Sequence, residues 1–324
     1  MRTDMNMNNN TASRKLTADT NNLIVIGIDH GFGNIKTANT VFKTGVTAYD
    51  KEPIFKSNLL IWQRRFYQIG EEHKEFTADK IQDEDYYILT LAAIAKELHN
   101  RGLTSAKVHI AAGLPLTWVR EQKDSFREYL LQNESADFTF KDTAYHVEFA
   151  GADIFPQGFA AVADQLRDFT GINILADIGN GTMNVMYINE RKPVEQKSYT
   201  EKFGTNQCMI AIREKLMSQF NVSVDEAILE RVIRYGTANI SKRFLGAIRE
   251  SAADYVSGIF RRLREHEYNP ELMRLFVTGG GGCMIKNFGE YDPDRVIFID
   301  DIRATAKGYE MLAKRKLRKA GVIV

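Results

Sequence analysis

The sequence predicts an α/β protein of two similar domains around a central cleft, and three glycine-rich turns carry this prediction. Two of the turns share one pattern, in which an apolar run is followed by an acid, two glycines and a polar residue. The pattern occurs at residues 26–36 and again at residues 175–184, about 150 residues later, and a repeat at that separation indicates two related domains. The third turn, residues 278–282, lies between an apolar segment and a short amphipathic one, which is typical of a strand that leads into a helix.

The later of the two matching turns has the composition of an anion-binding loop. Asp177 closes a buried apolar run. Gly179 and Gly181 let the backbone come close to a ligand, and Thr182 adds a hydroxyl group. Several backbone N–H groups then point into one concavity, which favours phosphate, whereas Asp177 repels phosphate unless a divalent cation lies between them. Such a stretch also occurs in ordinary hairpins, so its repetition is the informative feature.

The earlier turn repeats this chemistry and adds a positive charge. Asp29 stands where Asp177 stands, Gly31 and Gly33 provide the free backbone, and Lys36 follows. Two such turns on facing domains can clamp a polyphosphate and its metal from both sides. His30 lies inside this turn, and we predict an exposed turn histidine there in preference to a phosphate or metal ligand.

Composition excludes several classes of protein. In 324 residues, 43 lysines and arginines balance 42 aspartates and glutamates, so the net charge of +1 predicts no direct binding to nucleic acid. The length suits two domains with large cores. No apolar run reaches the roughly 20 residues of a membrane span, so we expect no membrane insertion. Cys208 and Cys283 are the only cysteines, which predicts a reducing cytoplasm and neither a disulfide nor a metal site.

Periodicity and turn residues predict the elements of the first half of the chain. Residues 1–22 are polar and asparagine-rich, so we expect a disordered tail and no secretory signal. Strands are predicted at 23–29 and 34–40, and short alternating segments follow from 41 to about 80. Apolar residues at helical spacing predict a helix at 84–100, with Asp83 as its N-cap and Gly102 as its stop. A strand at 107–115, a helix at 118–133 and a hairpin at 138–150 complete this half.

The second half begins with a predicted helix within residues 153–169, because Pro156 suits a first helical turn and small alanines follow it. Further predicted elements are strands at 185–188, 193–199 and 295–299 and helices at 204–220, 224–235, 241–266 and 301–319. The last helix ends in lysine and arginine. We interpret this run as a solvated helix end that the helix dipole favours, in preference to a site for an acidic partner.

The order and spacing of the glycine turns resemble the actin superfamily of ATPases, from about Leu23 to the C-terminus. Residues 29–36 match the phosphate-1 turn of that superfamily, residues 155–158 the start of its connecting helix, residues 177–182 its phosphate-2 turn and residues 279–282 its adenosine loop. The Asp-x-Gly-x-Gly-Asn-x-Lys stretch and residues 112–115 are most similar to the ParM/StbA plasmid-segregation branch. Phe32 departs from the pattern, because many relatives carry a small hydroxyl residue there.

The resemblance implies an α/β actin-like fold: a duplicated, ribonuclease H-like, two-domain ATPase fold with a central nucleotide cleft. It implies domain I at residues 23–155, completed by a C-terminal helix at 303–324, and domain II at residues 156–302. Residues from 41 to about 80 correspond to a small, variable subdomain that commonly meets the next subunit. A plain β-meander is the alternative for this region.

The resemblance also implies roles for individual residues. Asp29 and Asp177 hold Mg²⁺, mainly through water, and Gln157 positions the attacking water with help from Asp177. A glutamine bonded to backbone at a helix start is the alternative for Gln157. The expected ligand is ATP, with GTP left open. Residues expected to contact the nucleotide are Asp29, Gly31, Gly33, Asn34, Lys36, Gly179, Asn180, Gly181, Thr182, Arg231, Arg234, Gly279, Gly280, Gly281 and Gly282. The two arginines have a solvated helix face as their alternative.

Similarity to the ParM branch implies an ATP-hydrolysing protein that polymerises into filaments. Such filaments segregate plasmid DNA and reach it through a DNA-binding adaptor of the ParR kind. The alternatives are another bacterial cytoskeletal filament, a sugar or acetate kinase of the same superfamily, and a module that binds nucleotide without turnover. Gln157 disfavours the kinase, which needs a carboxylate base at that position.

Overall fold

A computed structural model describes residues 17–54, 56–70 and 84–324. Residues outside the described part are 1–16 of the predicted tail at 1–22, residues 55 and 71–80 of the predicted subdomain, and the predicted N-cap Asp83. The predicted α/β class is confirmed, because two separate sheets carry the helices. Within the described part of the chain, no helix combines the length and the apolar character that crossing a bilayer requires.

The first half of the chain forms a nine-stranded mixed sheet. Its strands are β1 (Thr17–His30), β2 (Asn34–Thr37), β3 (Val41–Lys43), β4 (Val46–Tyr49), β5 (Leu59–Trp62), β6 (Arg65–Ile69), β7 (Leu103–Leu114), β8 (Ser135–Phe140) and β9 (Thr143–Pro156). They are arranged in the order β3-β2-β1-β7-β9-β8-β5-β6-β4. β1 begins at Thr17, so the first strand takes in the end of the predicted tail.

Two helices accompany this sheet, α1 (Asp85–Arg101) and α2 (Leu116–Leu130). The apolar stripe predicted for the first helix is completely buried and forms much of the first core, with Ile88, Leu91 and Leu98 at 0% exposure. Gly102 ends the helix as predicted. Its φ of 74° is left-handed, and its N–H donates to the carbonyls of the last turn.

The second half forms a five-stranded sheet with helices α3 (Thr205–Phe220), α4 (Glu226–Tyr235), α5 (Lys242–Glu265) and α6 (Gly282–Phe288). Its strands are β10 (Ile172–Ile178), β11 (Met183–Asn189), β12 (Lys192–Glu201), β13 (Arg274–Thr278) and β14 (Val296–Phe298), in the order β12-β11-β10-β13-β14. The two sheets share a local plan. β1 and β10 each pair antiparallel with the next strand and parallel with a later one, so the repeated sequence pattern corresponds to a repeated structure.

The predicted helix within residues 153–169 is wrong. β9 continues through Pro156, and two short 3₁₀ turns follow at Phe159–Val162 and Leu166–Asp168. Their hydrogen bonds join residues three apart, as from Ala161 N to the Gly158 carbonyl at 2.9 Å. Gly158 has a φ of 75°, a conformation that an α-helix does not use, so the chain turns sharply where the sequence pattern indicated a regular helix start.

The last helix, α7 (Ala304–Lys319), crosses back to the first sheet. Its backbone lies very close to neighbouring elements: a Cβ on Gly27 of β1 would overlap the Ala306 carbonyl, and one on Gly308 would overlap the Ala160 carbonyl. Tyr309 on the same helix is completely buried among residues of β1 and β7. Close backbone contacts of this kind join α7 to both the first sheet and the segment that leads into the second.

An ion cluster also holds α7 in place. Asp153 on β9 accepts from Lys316 of α7, and its other oxygen lies 3.1 Å from Nε2 of His109 on β7. Burial would raise the pKa of Asp153, but hydrogen bonds and electrostatic attraction from His109 and Lys316 outweigh that effect and lower the pKa to about 2.

Replacing Asp153 with asparagine is therefore expected to lower the free energy of unfolding by about 1–2 kcal/mol at pH 7. A depressed carboxyl pKa stabilises the fold above the ordinary value of 3.8, and this contribution is lost as the pH falls towards 2. Urea unfolding of both proteins at pH 7 and pH 3 checks this. Asp137→Asn is the matched control, because Asp137 also contacts a histidine, at 2.8 Å, but is 81% exposed. An equal loss in both variants would contradict the prediction.

Candidate functional site

The phosphate-1 turn joins β1 to β2 and pairs an acid with a lysine. Asp29 and Lys36 are cross-strand neighbours, and Lys36 Nζ lies 2.9 Å from Asp29 Oδ2. Side chains alternate along a strand, so His30 points to the opposite face from Asp29. The predicted exposure of His30 is wrong. This side chain is 0% exposed, and its Nε2 lies 2.8 Å from the hydroxyl of Thr90 on α1.

The phosphate-2 turn joins β10 to β11 and is shaped by the start of α3. Gly179 N donates to the Thr182 carbonyl at 2.8 Å, which closes the turn. Thr205 N then donates to the Gly179 carbonyl at 3.1 Å, and its hydroxyl donates to Asn180 Oδ1 at 3.0 Å. Gly204 permits this approach, because a Cβ there would overlap the Asn180 carbonyl. The helix start therefore determines the shape of the turn.

The two turns meet across the cleft. A Cβ placed on Gly33 would lie 3.0 Å from the Cβ of Asn180. The segment after β9 lies between the two acids: Gln157 Nε2 donates to Asp29 Oδ1 at 3.4 Å, and a Cβ on Gly158 would lie 3.2 Å from the Asp177 Cβ. Gln157 is 9% exposed and Asp29 is 5% exposed, so both polar groups are largely shielded from solvent.

One cavity contains most of the residues that the sequence singled out. Those that line it are Asp29, Gly31, Gly33, Asn34, Lys36, Gln157, Asp177, Gly179, Asn180, Thr182, Arg234 and Gly280. Further lining residues that the sequence reading did not assign to the site are Phe32, Asn184, Thr205, Met209, Glu230, Ile233 and Cys283. Residues from both sheets and from α3, α4 and α6 thus share one concave surface.

Five of the predicted nucleotide contacts do not line this cavity. Gly279 and Gly281 instead pack against the end of β10, where a Cβ on either would meet Ile178. Gly282 is buried at the start of α6, and Gly181 packs against Gly204. These glycines permit close backbone packing around the cavity.

Arg231 is the fifth, and the helical repeat explains its position. Glu230, Ile233 and Arg234 are spaced three and four residues apart, so they share the face of α4 that lines the cavity. Arg231 follows Glu230 directly, so it lies about 100° further round the helix and does not line the cavity. It lines a neighbouring groove together with Glu230, Arg234 and Tyr235. Its guanidinium lies 5.7 Å from the ring centre of Tyr235.

The two acids and the lysine strongly affect one another. Burial and the negative charge of Asp29 raise the pKa of Asp177 to about 6, although Lys36 lowers it in part. Burial lowers the pKa of Lys36, but the charges of Asp29 and Asp177 and the hydrogen bond to Asp29 outweigh burial and leave that pKa above its ordinary value. Two acids and one lysine leave an excess of negative charge in a shielded site.

This donor set fits a hydrated divalent cation. Mg²⁺ is bound in proteins by one or two carboxylates, with water and phosphate oxygens as its other ligands. Asp29 and Asp177 supply two carboxylates, and the charge of Asp29 adds to the effect of burial in raising the pKa of Asp177. Among the described residues no cluster of three or more His, Cys, Asp or Glu could enclose a metal, so the remaining ligands would be water and phosphate.

Residues 27–159 match the family described as the N-terminal domain of actin-like proteins. The archaeal actin homologue Ta0583 superposes with a TM-score of 0.74 at 19% identity, over 90% of this chain and 99% of that chain. The chain has the actin-like fold. The predicted resemblance to actin-like proteins of the ParM type is confirmed at this level. No curated protein matches the sequence.

Two further actin-like structures are similar over nearly their whole length. The pSK41 ParM protein superposes with a TM-score of 0.70 at 19% identity, over 93% of this chain and 99% of that chain. The Alp12 filament structure superposes with a TM-score of 0.67 at 17% identity, over 91% of this chain and 99% of that chain. A structure of Ta0583 in complex with ADP superposes with a TM-score of 0.70 at 20% identity, over 90% of this chain and 99% of that chain.

Sequence reasoning missed the supporting residues of this actin-like cleft. Thr205 was recognised only as part of a helix start, although the adjacent Gly204 is a signal that another backbone approaches closely. Asn184 and Met209 carry no motif. Glu230 and Ile233 belong to the site because the face of α4 that carries them is turned towards the cavity. Hydrophobic spacing in the sequence does not distinguish a helix face that lines a cavity from one on the outer surface.

Proposed function

We propose that this protein is a nucleoside triphosphatase that hydrolyses ATP, with GTP as the open alternative, and couples hydrolysis to filament assembly. One observation carries the proposal. Two acid-and-glycine turns from two separate sheets face a common cavity, and Gln157, which donates to Asp29, lines the same cavity. The backbone N–H groups of the turns can bind phosphate oxygens, and the carboxylates can bind the divalent cation that accompanies the phosphates. The cavity therefore suits a polyphosphate with its counter-ion.

Binding is assigned to three groups of residues. The turn backbones around Gly31, Gly33, Gly179 and Thr182 contact the phosphates, and Lys36 exchanges part of its contact with Asp29 for phosphate oxygens. The nucleoside lies between α4 and the adenosine loop, against Ile233, Arg234, Glu230, Gly280 and Cys283, which all line that side of the cavity. The partly apolar wall suits a base, and the charged pair Glu230 and Arg234 suits ribose hydroxyls.

Hydrolysis is assigned to Gln157 and Asp177. Mg²⁺ held by Asp29 and Asp177 would supply charge neutralisation on the phosphates when it is bound. The Gln157 amide accepts and donates hydrogen bonds, so it orients a water molecule towards the terminal phosphate. Asp177, with its pKa of about 6, is mainly ionised at pH 7 and accepts a hydrogen bond from the same water.

Hydrolysis is coupled to assembly because the phosphates connect the two sheets. The bound nucleotide contacts turns on both sheets, so loss of the terminal phosphate weakens the link between them and permits rotation. We propose the division into domain I, residues 23–155 with the C-terminal helix, and domain II, residues 156–302. A net charge of +1 argues against direct binding to DNA, so we assign attachment to plasmid DNA to an adaptor of the ParR kind. The similarity to the Alp12 filament structure supports assembly into filaments.

Sedimentation and phosphate release with Mg²⁺–ATP and Mg²⁺–GTP test this function. We expect polymer in the pellet with nucleotide and none with a chelator present, and phosphate release that rises with the amount of polymer. Added sugars or acetate should remain unphosphorylated, which separates a filament from a kinase. Absence of polymer with both nucleotides at concentrations well above micromolar would contradict the filament, and transfer to an acceptor would favour the kinase.

A further inference from the structure

Thr44 connects the phosphate-1 turn to the rest of the first sheet. It lies between β3 and β4 and is completely buried. Its hydroxyl donates to the Phe32 carbonyl at 2.7 Å, and its backbone N–H donates to the Gly33 carbonyl at 3.3 Å. One residue therefore binds the carbonyls of two consecutive peptide groups in the turn.

These two bonds restrict the part of the turn that faces the cavity. Phe32, Gly33 and Asn34 all line the cavity. A trans peptide group directs its carbonyl and its N–H to opposite sides, so fixing the Gly33 carbonyl also fixes the direction of the Asn34 N–H. Neither peptide group can rotate towards or away from a phosphate without breaking a bond to Thr44.

The other side of Thr44 leads directly into strands that do not line the cavity. Only Thr44 and Gly45 separate β3 from β4. The Gly45 carbonyl accepts from Gly70 N at 2.8 Å, immediately beyond the pairing of Val46 with Ile69 between β4 and β6. We call strands β4, β5 and β6 the β4–β6 extension.

We propose that Thr44 is a positioning residue that couples the phosphate-1 turn to the β4–β6 extension, so that phosphate binding at the turn is transmitted to the order of β4 and β6. The inference rests on the proposed nucleotide site and adds to it the route by which occupancy reaches a distant surface. Loss of a buried hydroxyl–carbonyl bond is expected to change a binding equilibrium about tenfold, which corresponds to about 1.4 kcal/mol.

Two substitutions separate the hydroxyl from the rest of the side chain. Thr44→Val keeps the shape and removes the hydroxyl, whereas Thr44→Ser keeps the hydroxyl and removes the methyl group. The full chain is kept below the concentration at which it sediments. Binding of Mg²⁺–ATP and of adenosine is measured by titration, and amide hydrogen exchange is measured in peptides that cover β4 and β6, with and without Mg²⁺–ATP. Urea unfolding of the ligand-free variants gives their stability.

We expect Mg²⁺–ATP to slow exchange in β4 and β6 of the wild type and of Thr44→Ser, and not of Thr44→Val. ATP affinity should fall about tenfold in Thr44→Val. Adenosine affinity should be equal in all three proteins, because adenosine has no phosphate to contact the turn. A purely structural role would lower stability and leave the nucleotide-dependent exchange of β4 and β6 in place.

Two results would overturn the coupling, and they differ in what they imply. If the wild type binds ATP and exchange in β4 and β6 slows equally in Thr44→Val, the coupling is wrong and the nucleotide site stands. If the wild type binds neither ATP nor GTP, the proposed function fails, and the coupling fails with it.

Discussion

Replacing Gln157 with alanine is expected to slow phosphate release from Mg²⁺–ATP about 100-fold, because an attacking water that loses its orienting amide is misplaced at the reacting phosphate. Nucleotide affinity should change by less than about threefold, because the phosphates bind to the turns, Lys36 and the cation. Single-turnover phosphate release and equilibrium binding of Mg²⁺–ATP separate the two quantities. Assembly with ATP should persist, and disassembly after hydrolysis should be delayed.

Gln165→Ala is the matched control for this prediction. Gln165 lies in the same segment, between the two 3₁₀ turns, but lines a separate groove beside α7. Its removal should leave both phosphate release and binding unchanged. Equal slowing in both variants would indicate a general disturbance of the segment. A Gln157→Ala protein with the wild-type rate would remove Gln157 from the mechanism and revive the alternative that its side chain only supports the backbone.

Replacing Asp177 with asparagine is expected to have two opposite effects. Binding of Mg²⁺–ATP should fall by at least about 100-fold, because a carboxylate that holds the cation is lost. The ligand-free protein should become more stable at pH 7 by about 2–3 kcal/mol, because a buried charge beside Asp29 is removed. Stability is measured by urea unfolding in the presence of a chelator and without nucleotide.

The pH dependence of the gain follows from the raised pKa of Asp177. A carboxyl whose folded pKa is about 6, above its ordinary 3.8, favours the folded state when it is protonated. That contribution is complete below pH 3.8 and is lost as the pH rises through 6. The difference between Asp177→Asn and the wild type should therefore be largest above pH 6 and close to zero near pH 3.

Asp164→Asn provides the control for the charge change. Asp164 lies in the same half of the chain and is exposed, so its removal should shift stability by less than about 0.5 kcal/mol and leave nucleotide binding unchanged. A loss of stability in Asp177→Asn in the presence of chelator would contradict the idea that the ligand-free site holds an unfavourable charge. The gain and the loss of binding together would show that the site trades stability for ligand affinity.

Local patterns predicted most of the elements, and they failed where a contact from elsewhere in the chain decides the conformation. The helix α1 with its stop at Gly102 follows from spacing and a left-handed glycine. The sequence of the segment after β9 predicts a helix from Pro156. In the structure, Gly158 turns the chain, and the backbone of Gly308 packs against this segment. The residues of the segment itself do not indicate that another backbone packs against them.

The same distinction applies to side chains in the site. The sequence placed Asp29 and Lys36 in one short turn, and the structure shows that they pair. The burial of His30 could not be predicted from the sequence, because it depends on α1 covering the other face of β1. Which arginine of α4 lines the cavity depends on how that helix is rotated, and the packing of α4 against α3, α5 and α6 determines the rotation.

By itself the sequence determined the α/β class, the duplication and the residue types of the two turns, because apolar spacing and glycine content act over a few neighbouring residues. Only the tertiary structure decided that Gly33 meets Asn180, that Gln157 contacts Asp29, that Thr205 shapes the phosphate-2 turn and that Thr44 holds the phosphate-1 turn. The physical reason is that these contacts join residues brought together by the packing of two sheets, and packing depends on the whole chain at once.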